Sequence, residues 1–153
     1  MRALLILLSL LGVVTAAQAA DPATGRILKV LPFLLDQQGR NAKSPSLYDR
    51  DAYQAWLNQH TNEVSAMRYD IWWKATPAPD EKIKISLELR GIGTNSLPKL
   101  TTLETNVVPG KYRQWTSIPL AGVDYTNIGA VVAWRVRLYN DAQLLGEQKS
   151  FLW

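Results

Sequence analysis

The sequence predicts an all-β protein: a single sandwich of about seven antiparallel strands, with one short amphipathic helix inserted after the first strand. Three observations predict it. Several stretches alternate apolar and polar residues with a period of two, most cleanly Lys82–Arg90, where Ile83, Ile85, Leu87 and Leu89 share one side. Pro, Gly, Asn and Asp punctuate most of the intervals between such stretches. Strands do not alternate with long helical stretches, as a parallel sheet would require, and no long-period repeat is present.

The chain starts with material that is not expected to belong to the fold. Arg2 precedes the apolar run Ala3–Val14, which has the length of a secretion-signal core and is too short to span a bilayer. Ala17-Gln18-Ala19 has the small-x-small pattern of a signal-peptidase site. Cleavage is expected after Ala19, or alternatively after Ala20. Residues 1–19 then form a signal peptide, 20–26 a flexible lead, and 27–153 the domain. The expected location is bacterial and exported, periplasmic or extracellular. The 153 residues include no cysteine, so neither disulfides nor a lipid-modified cysteine after the leader is available, and stability must come from an apolar core.

The mature chain is long enough for one domain with a real core. Ile27–Leu35 reads as a strand whose Pro32 cannot donate to a ladder, which places it at a sheet edge or at a break. Such an edge leaves room for strand addition or self-association. The helical insertion spans 45–59. Ser44 before Pro45, or Ser46 three residues before Asp49, supplies the N-cap. Tyr48, Ala52, Ala55 and Trp56 fall on its apolar face, with Tyr53 and Leu57 beside them and Gln54 opposite. Strands follow at Ser65–Thr76, Lys82–Arg90, Lys99–Val108 and Lys111–Ile118. The connections are the turn Pro77–Asp80, the loop Gly91–Pro98, the turn Pro109-Gly110 and the crossing segment Pro119–Thr126.

The last stretch, Gly129–Trp153, reads as a long hairpin. Val132, Trp134, Val136 and Leu138 point one way, and Ala133, Arg135, Arg137 and Tyr139 the other. Asn140-Asp141 suits a tight turn, Gly146 suits a bulge, and the return strand is expected to use Phe151-Leu152-Trp153 as well. A closed membrane barrel is disfavoured because Lys149 breaks the lipid-face pattern and the strands are too few.

Tyr69–Trp73 (YDIWW), the Pro-bounded turn after it, and Ala133–Tyr139 (AWRVRLY) resemble fibronectin type III and related immunoglobulin-like domains. The resemblance covers about 27–153 apart from the helix, and implies an immunoglobulin/fibronectin-III-like sandwich. The inserted helix and the absent cysteine pair depart from that pattern. Ser44–Gln54, Leu87–Gly91 and Glu147–Trp153 also resemble a group of small uncharacterised secreted bacterial proteins, a likeness that implies a compartment and a fold but no site residues.

Chemistry is sparse. His60 is the single histidine and falls at the expected helix end, where a helix-terminal role outweighs that of general base. Asp49 and Asp51 fit dipole complementation, and no serine has a nucleophile-elbow setting. Metal-ligand spacing is absent, Gly91-Ile92-Gly93 lacks a nucleotide-loop context, and no cofactor is expected. With 17 Lys and Arg against 13 Asp and Glu, net +4, the scattered charges suit solvated strand faces better than a nucleic-acid patch.

The aromatic surplus is the informative feature. Trp72 and Trp73 are neighbours on a strand and must face opposite sides, so Trp73 is core and Trp72 is outer. Three uses of Trp72 are open: cover by Tyr53 or Trp56 of the helix, a cation–π ladder with Arg135 and Arg137 if the strands share a sheet, or a bare ring that stacks on a ligand. Trp115 carries the same ambiguity. Trp72, Trp115, Arg135 and Arg137 are therefore the candidate binding surface. The leading expectation is a secreted, non-catalytic module with a protein-binding or structural role in the envelope. The alternative is a carbohydrate-binding sandwich using exposed tryptophans, and the third is an enzyme of unrecognised type working through Asp49, Asp51 and His60.

Overall fold

The computed structural model describes residues 23–76, 82–93 and 95–153. The expected leader, the start of the lead and the turn Pro77–Asp80 lie outside the described residues.

Two antiparallel sheets form the molecule. Strands β1 (Thr24–Asp36), β2 (Val64–Thr76) and β5 (Gln114–Leu120) make a three-stranded sheet in the order β1-β2-β5. Strands β3 (Ile83–Ile92), β4 (Pro98–Val107), β6 (Ala130–Asn140) and β7 (Gln143–Lys149) make a four-stranded sheet in the order β4-β3-β6-β7. The all-β, sandwich-like expectation therefore holds. Helix α1 (Leu47–Gln59) follows β1, and a second helix, α2 (Gly122–Ile128), joins β5 to β6.

The inward side chains of the two sheets meet in one core. Tyr69, Ile71 and Trp73 of β2 pack with Ile83, Ile85, Leu87 and Leu89 of β3 and with Val136 and Leu138 of β6. All of these are at most 1 % exposed, and burying each apolar side chain stabilises the fold by about 1.5–3 kcal/mol. The one polar atom of Trp73 is satisfied, since its Nε1–H donates to Thr116 Oγ1 at 2.9 Å.

Strand β1 is an edge strand, as Pro32 requires, but it is longer than expected. Residues 24–26 belong to it rather than to a mobile lead, because Thr24–Arg26 pair with Lys74–Thr76. A Cβ on Gly25 would collide with Leu145 of β7, so the small residue lets the two sheets approach at this corner. At the other end, Gln54 of α1 covers the free edge. Its Oε1 accepts from the Leu34 N–H at 2.8 Å and its Nε2 donates to the Leu34 carbonyl at 2.9 Å. Outward-pointing backbone groups alternate along a strand, so Pro32, which has no N–H, lies on the same side as Leu34. The room for strand addition on β1 is thereby narrowed to its middle.

Helix α1 begins at the second of the two expected caps. Ser46 is the N-cap and its side chain accepts from the Asp49 N–H at 3.4 Å, so Pro45 lies outside the helix. Its buried face is Tyr53 and Leu57, whereas Tyr48 is 82 % exposed and Trp56 stays at the surface. Gln54, expected on the solvent side, faces the strand. Apolar periodicity misplaced the face because the helix docks on a strand edge, whose backbone asks for an amide as much as for an apolar side chain.

Asp36 ties this end of the molecule together. Its carboxylate accepts from the N–H groups of Gln38 and Arg40 at 2.9 and 2.8 Å, from Arg40 Nε at 2.8 Å and from the Tyr53 hydroxyl at 2.7 Å. Burial pushes its pKa up, but the Arg40 amide, the Tyr53 hydroxyl, the Arg40 guanidinium and the Gln38 amide outweigh that and hold it at about 2.

Three details of the C-terminal half differ from the expectation. The segment Pro119–Thr126 is not a plain crossing: it contains the end of β5 and most of α2. Ile128, at the end of α2, is fully buried, and a Cβ on Gly91 would strike its carbonyl and side chain. Gly91 is therefore a packing glycine. Second, β6 bulges at Val132, between the pairs Ala133↔Arg90 and Val131↔Gly91, so Val132 turns outward and Ala133 is buried. Third, β7 ends at Lys149. Asn140 pairs with Gln143 across the turn residues Asp141-Ala142, and the bulge falls at Leu145, one residue before Gly146. Phe151-Leu152-Trp153 does not extend the strand: Phe151 and Leu152 are exposed and a turn carries Trp153 back across the sheet. Among the described residues no helix is long and apolar enough to cross a membrane.

Candidate functional site

Pairing of β2 with β5 decides the fate of the aromatic surplus. The register sets Trp72 opposite Trp115, and directly opposed residues share a face. Their rings stack with centroids 5.8 Å apart and planes 10° from parallel. Such an aromatic pair contributes about 0.5–1.5 kcal/mol beyond its buried area. Trp72 is half-buried, while Trp115 keeps 51 % of its surface open. The pair stands on the outer face of the three-stranded sheet.

Cations crowd one end of this pair. Arg113 lies over the Trp72 ring, 5.5 Å from its centroid. Trp72, Lys74, Lys111, Tyr112 and Arg113 enclose a shallow cavity of about 270 Å³. On β1, Lys29 is the residue opposite Trp72, and Arg26 is opposite Lys74. None of these five cations has a carboxylate within ion-pair distance among the described residues. On the other side of the pair the charges are closed off. Arg68 donates through Nε and Nη2 to both oxygens of Asp70 at 2.9 Å, and the Ser117 hydroxyl donates to Asp70 at 2.6 Å. The site thus has an open indole, a half-buried one stacked against it and, among the described residues, positive charge without acidic partners beside them.

Helix α1 does not cover Trp72. It docks at Leu34–Asp36, whereas Trp72 pairs with Lys29, roughly 16 Å away along the strand. Tyr53 and Trp56 stack on each other at 5.6 Å, and Trp56 stacks on His60 at 4.4 Å.

Arg135 and Arg137 lie elsewhere. They are on β6, in the four-stranded sheet, so the cation–π ladder with Trp72 is not formed. Alternation along each strand gave the right faces, but it carries no information on which strands share a sheet. Instead the two arginines form an ion-pair ladder. Arg135 Nη2 donates to Glu88 Oε2 at 2.6 Å, Arg137 Nη1 is 3.1 Å from Glu88 Oε1, and Arg137 Nε donates to Glu147 Oε2 at 2.9 Å. The hydrogen bond to Tyr139, followed by that to Glu147 and the charge of Glu88, pushes Arg137 further toward its charged form against the effect of burial. Arg135 also lies 4.5 Å from the centroid of Trp153, with Arg90 at 4.1 Å.

Arg113, Lys74 and Lys111 were not among the sequence candidates. The turn at Pro109-Gly110 is visible in the sequence, but it joins β4 to β5, which lie in different sheets, so it carries no information on the β2–β5 register that sets Trp115 beside Trp72. Trp153 was missed because the last three residues were read as strand. The remaining chemistry does not converge. Asp49 accepts from the Ser44 hydroxyl at 2.5 Å near the helix start, Asp51 pairs with Arg50, and His60 is the C-cap, its Nδ1 2.8 Å from the Trp56 carbonyl. Among the described residues no group of three or more His, Cys, Asp or Glu is placed to hold a metal ion. Comparison with protein-family models, with curated proteins and with solved structures found no match to this chain.

Proposed function

We propose that the chain is an exported, non-catalytic β-sandwich module of the immunoglobulin/fibronectin-III-like type, and that it binds glycan on the outer face of its three-stranded sheet. The fold type is supported by the strand order. The fourth strand lies beside the third in the sheet of β6 and β7, whereas in constant immunoglobulin domains it joins the sheet of the first, second and fifth. The observation that carries the binding reading is the open Trp115 ring, backed by Trp72, with cations that have no acidic partner among the described residues at one end of the pair. An indole face packs well on the C–H face of a sugar ring, and a stacked neighbour holds it in place. Lys74, Lys111 and Arg113 favour a glycan that carries acid groups.

A protein partner is the second reading, favoured by the edge position of β5, whose backbone is free to pair with an added strand beside Trp115. Isothermal titration of the purified protein against neutral and acidic polysaccharides separates the two. Binding of an acidic polysaccharide, reduced about tenfold or more by Trp115→Ala with the fold retained, supports the glycan reading. Indifference to every polysaccharide removes it and leaves the protein-binding reading.

A further inference from the structure

The opposite face carries an independent pocket. A groove of about 510 Å³ opens on the outside of the four-stranded sheet, within the size range of small-molecule sites. Its floor is apolar: Ile92 and Leu100 are 47 % and 64 % exposed, and the β6 bulge turns Val132 out beside them. Trp153 also lines it. That ring is held in place from both ends. Ser150 donates its N–H to the Trp134 carbonyl at 2.9 Å and accepts from the Trp134 N–H at 3.0 Å, which anchors the turn, and Arg90 and Arg135 lie against the indole.

The charges around the groove are not balanced. Glu88 is consumed by Arg135 and Arg137. Arg90 and Lys99 have no carboxylate within ion-pair distance among the described residues. An apolar trough with two unpaired cations at its rim is complementary to a molecule with an apolar body and an acidic end. A second copy of the chain is a poor occupant, because a two-fold contact through this face would bring two sets of Arg90 and Lys99 into one interface with no added acid to offset them. A neutral apolar molecule would leave the cations unused.

We propose that this groove binds a single-chain anionic amphiphile, with the acidic head on Arg90 and Lys99 and the apolar chain lying along Ile92, Leu100 and Val132 against Trp153. The site is separate from the Trp72–Trp115 face and does not depend on glycan binding there.

The test uses three probes with one chain length and different heads: decanoate and decyltrimethylammonium below their micelle points, and decanol below its solubility limit. Binding to the purified protein is read by calorimetry and by the Trp153 indole N–H signal. Decanoate is expected to bind and to shift the Trp153 signal, with decanol weaker and the cationic probe weakest. Arg90→Gln combined with Lys99→Gln should weaken decanoate about tenfold and decanol far less. Leu100→Ser should weaken both decanoate and decanol. Equal binding of decanoate and decanol, or a double variant that binds decanoate like the parent, overturns the proposal. So does the absence of any shift at Trp153, or self-association through the groove that Leu100→Ser abolishes.

Discussion

The β6 ladder of the four-stranded sheet and the Trp72–Trp115 region of the three-stranded sheet use the same residue types in opposite ways. On the four-stranded sheet, Arg135, Arg137, Glu88 and Glu147 pair with one another, and Trp153 lies against two guanidiniums. On the three-stranded sheet, Trp72 and Trp115 stack on each other, one ring stays open, and Arg26, Lys29, Lys74, Lys111 and Arg113 have no acidic partners among the described residues. Arginine and tryptophan on a strand's outer side therefore do not by themselves mark a site. Partnering distinguishes them: saturated charge holds a sheet together, and unsaturated charge beside an open ring is available to a ligand.

Substitutions can break this contrast or sharpen it. The largest effect is expected in the core that both faces share. Trp73→Ala should cost about 4 kcal/mol in urea unfolding, since it removes a fully buried ring and the hydrogen bond to Thr116. That value sets the scale for the surface changes.

Asp36→Asn comes next, at about 3 kcal/mol near neutral pH, because two backbone N–H groups and the Tyr53 hydroxyl lose a buried carboxylate. This effect has a pH signature. The folded pKa of about 2 lies below the ordinary 3.8, so the carboxylate's stabilisation is complete above that ordinary value and is lost as pH falls toward 2. Melting temperature measured from pH 5 to pH 2 should fall more steeply for the parent than for the variant, and the two should converge at the acid end.

Glu88→Gln tests the paired ladder of β6. It removes the carboxylate shared by Arg135 and Arg137, which is 13 % exposed, and should cost about 1–2 kcal/mol, with the loss smaller in high salt. Arg113→Gln on the other face is the counterpart and has the smallest effect. It should change stability by less than about 0.5 kcal/mol, because only the Trp72 contact is lost, yet weaken binding of an acidic glycan. If the two variants exchanged these outcomes, the division between the faces would fail.

Much of this arrangement was legible from the residues alone. Seven strands follow from alternation because the pleat puts neighbours on opposite sides, and Trp73 in and Trp72 out is that rule applied once. The illegible parts are those where alternation is silent or broken. Which strands neighbour each other depends on pairing between distant segments, so the residues alone leave open whether Arg135 and Arg137 stand beside Trp72, and they lie on the other sheet. Bulges at Val132 and Leu145 shift the parity by one residue. Helix α2, Gly-Val-Asp-Tyr-Thr-Asn-Ile, consists of residues with modest helix propensity and forms because Ile128 fills a space that Gly91 leaves open. The inward side of α1 follows from a hydrogen-bonding amide, Gln54, which no hydrophobic pattern can reveal.

The most direct test of the central claim uses the six tryptophans as reporters. Indole N–H signals assigned by single Trp→Phe variants should be followed while an acidic oligosaccharide is added. The account predicts that Trp115 and Trp72 shift together, while Trp73, bonded to Thr116 in the core, and Trp153, on the far face, stay in place. Signals of Trp72 and Trp115 that remain fixed through the titration, or a response confined to Trp153, would contradict it.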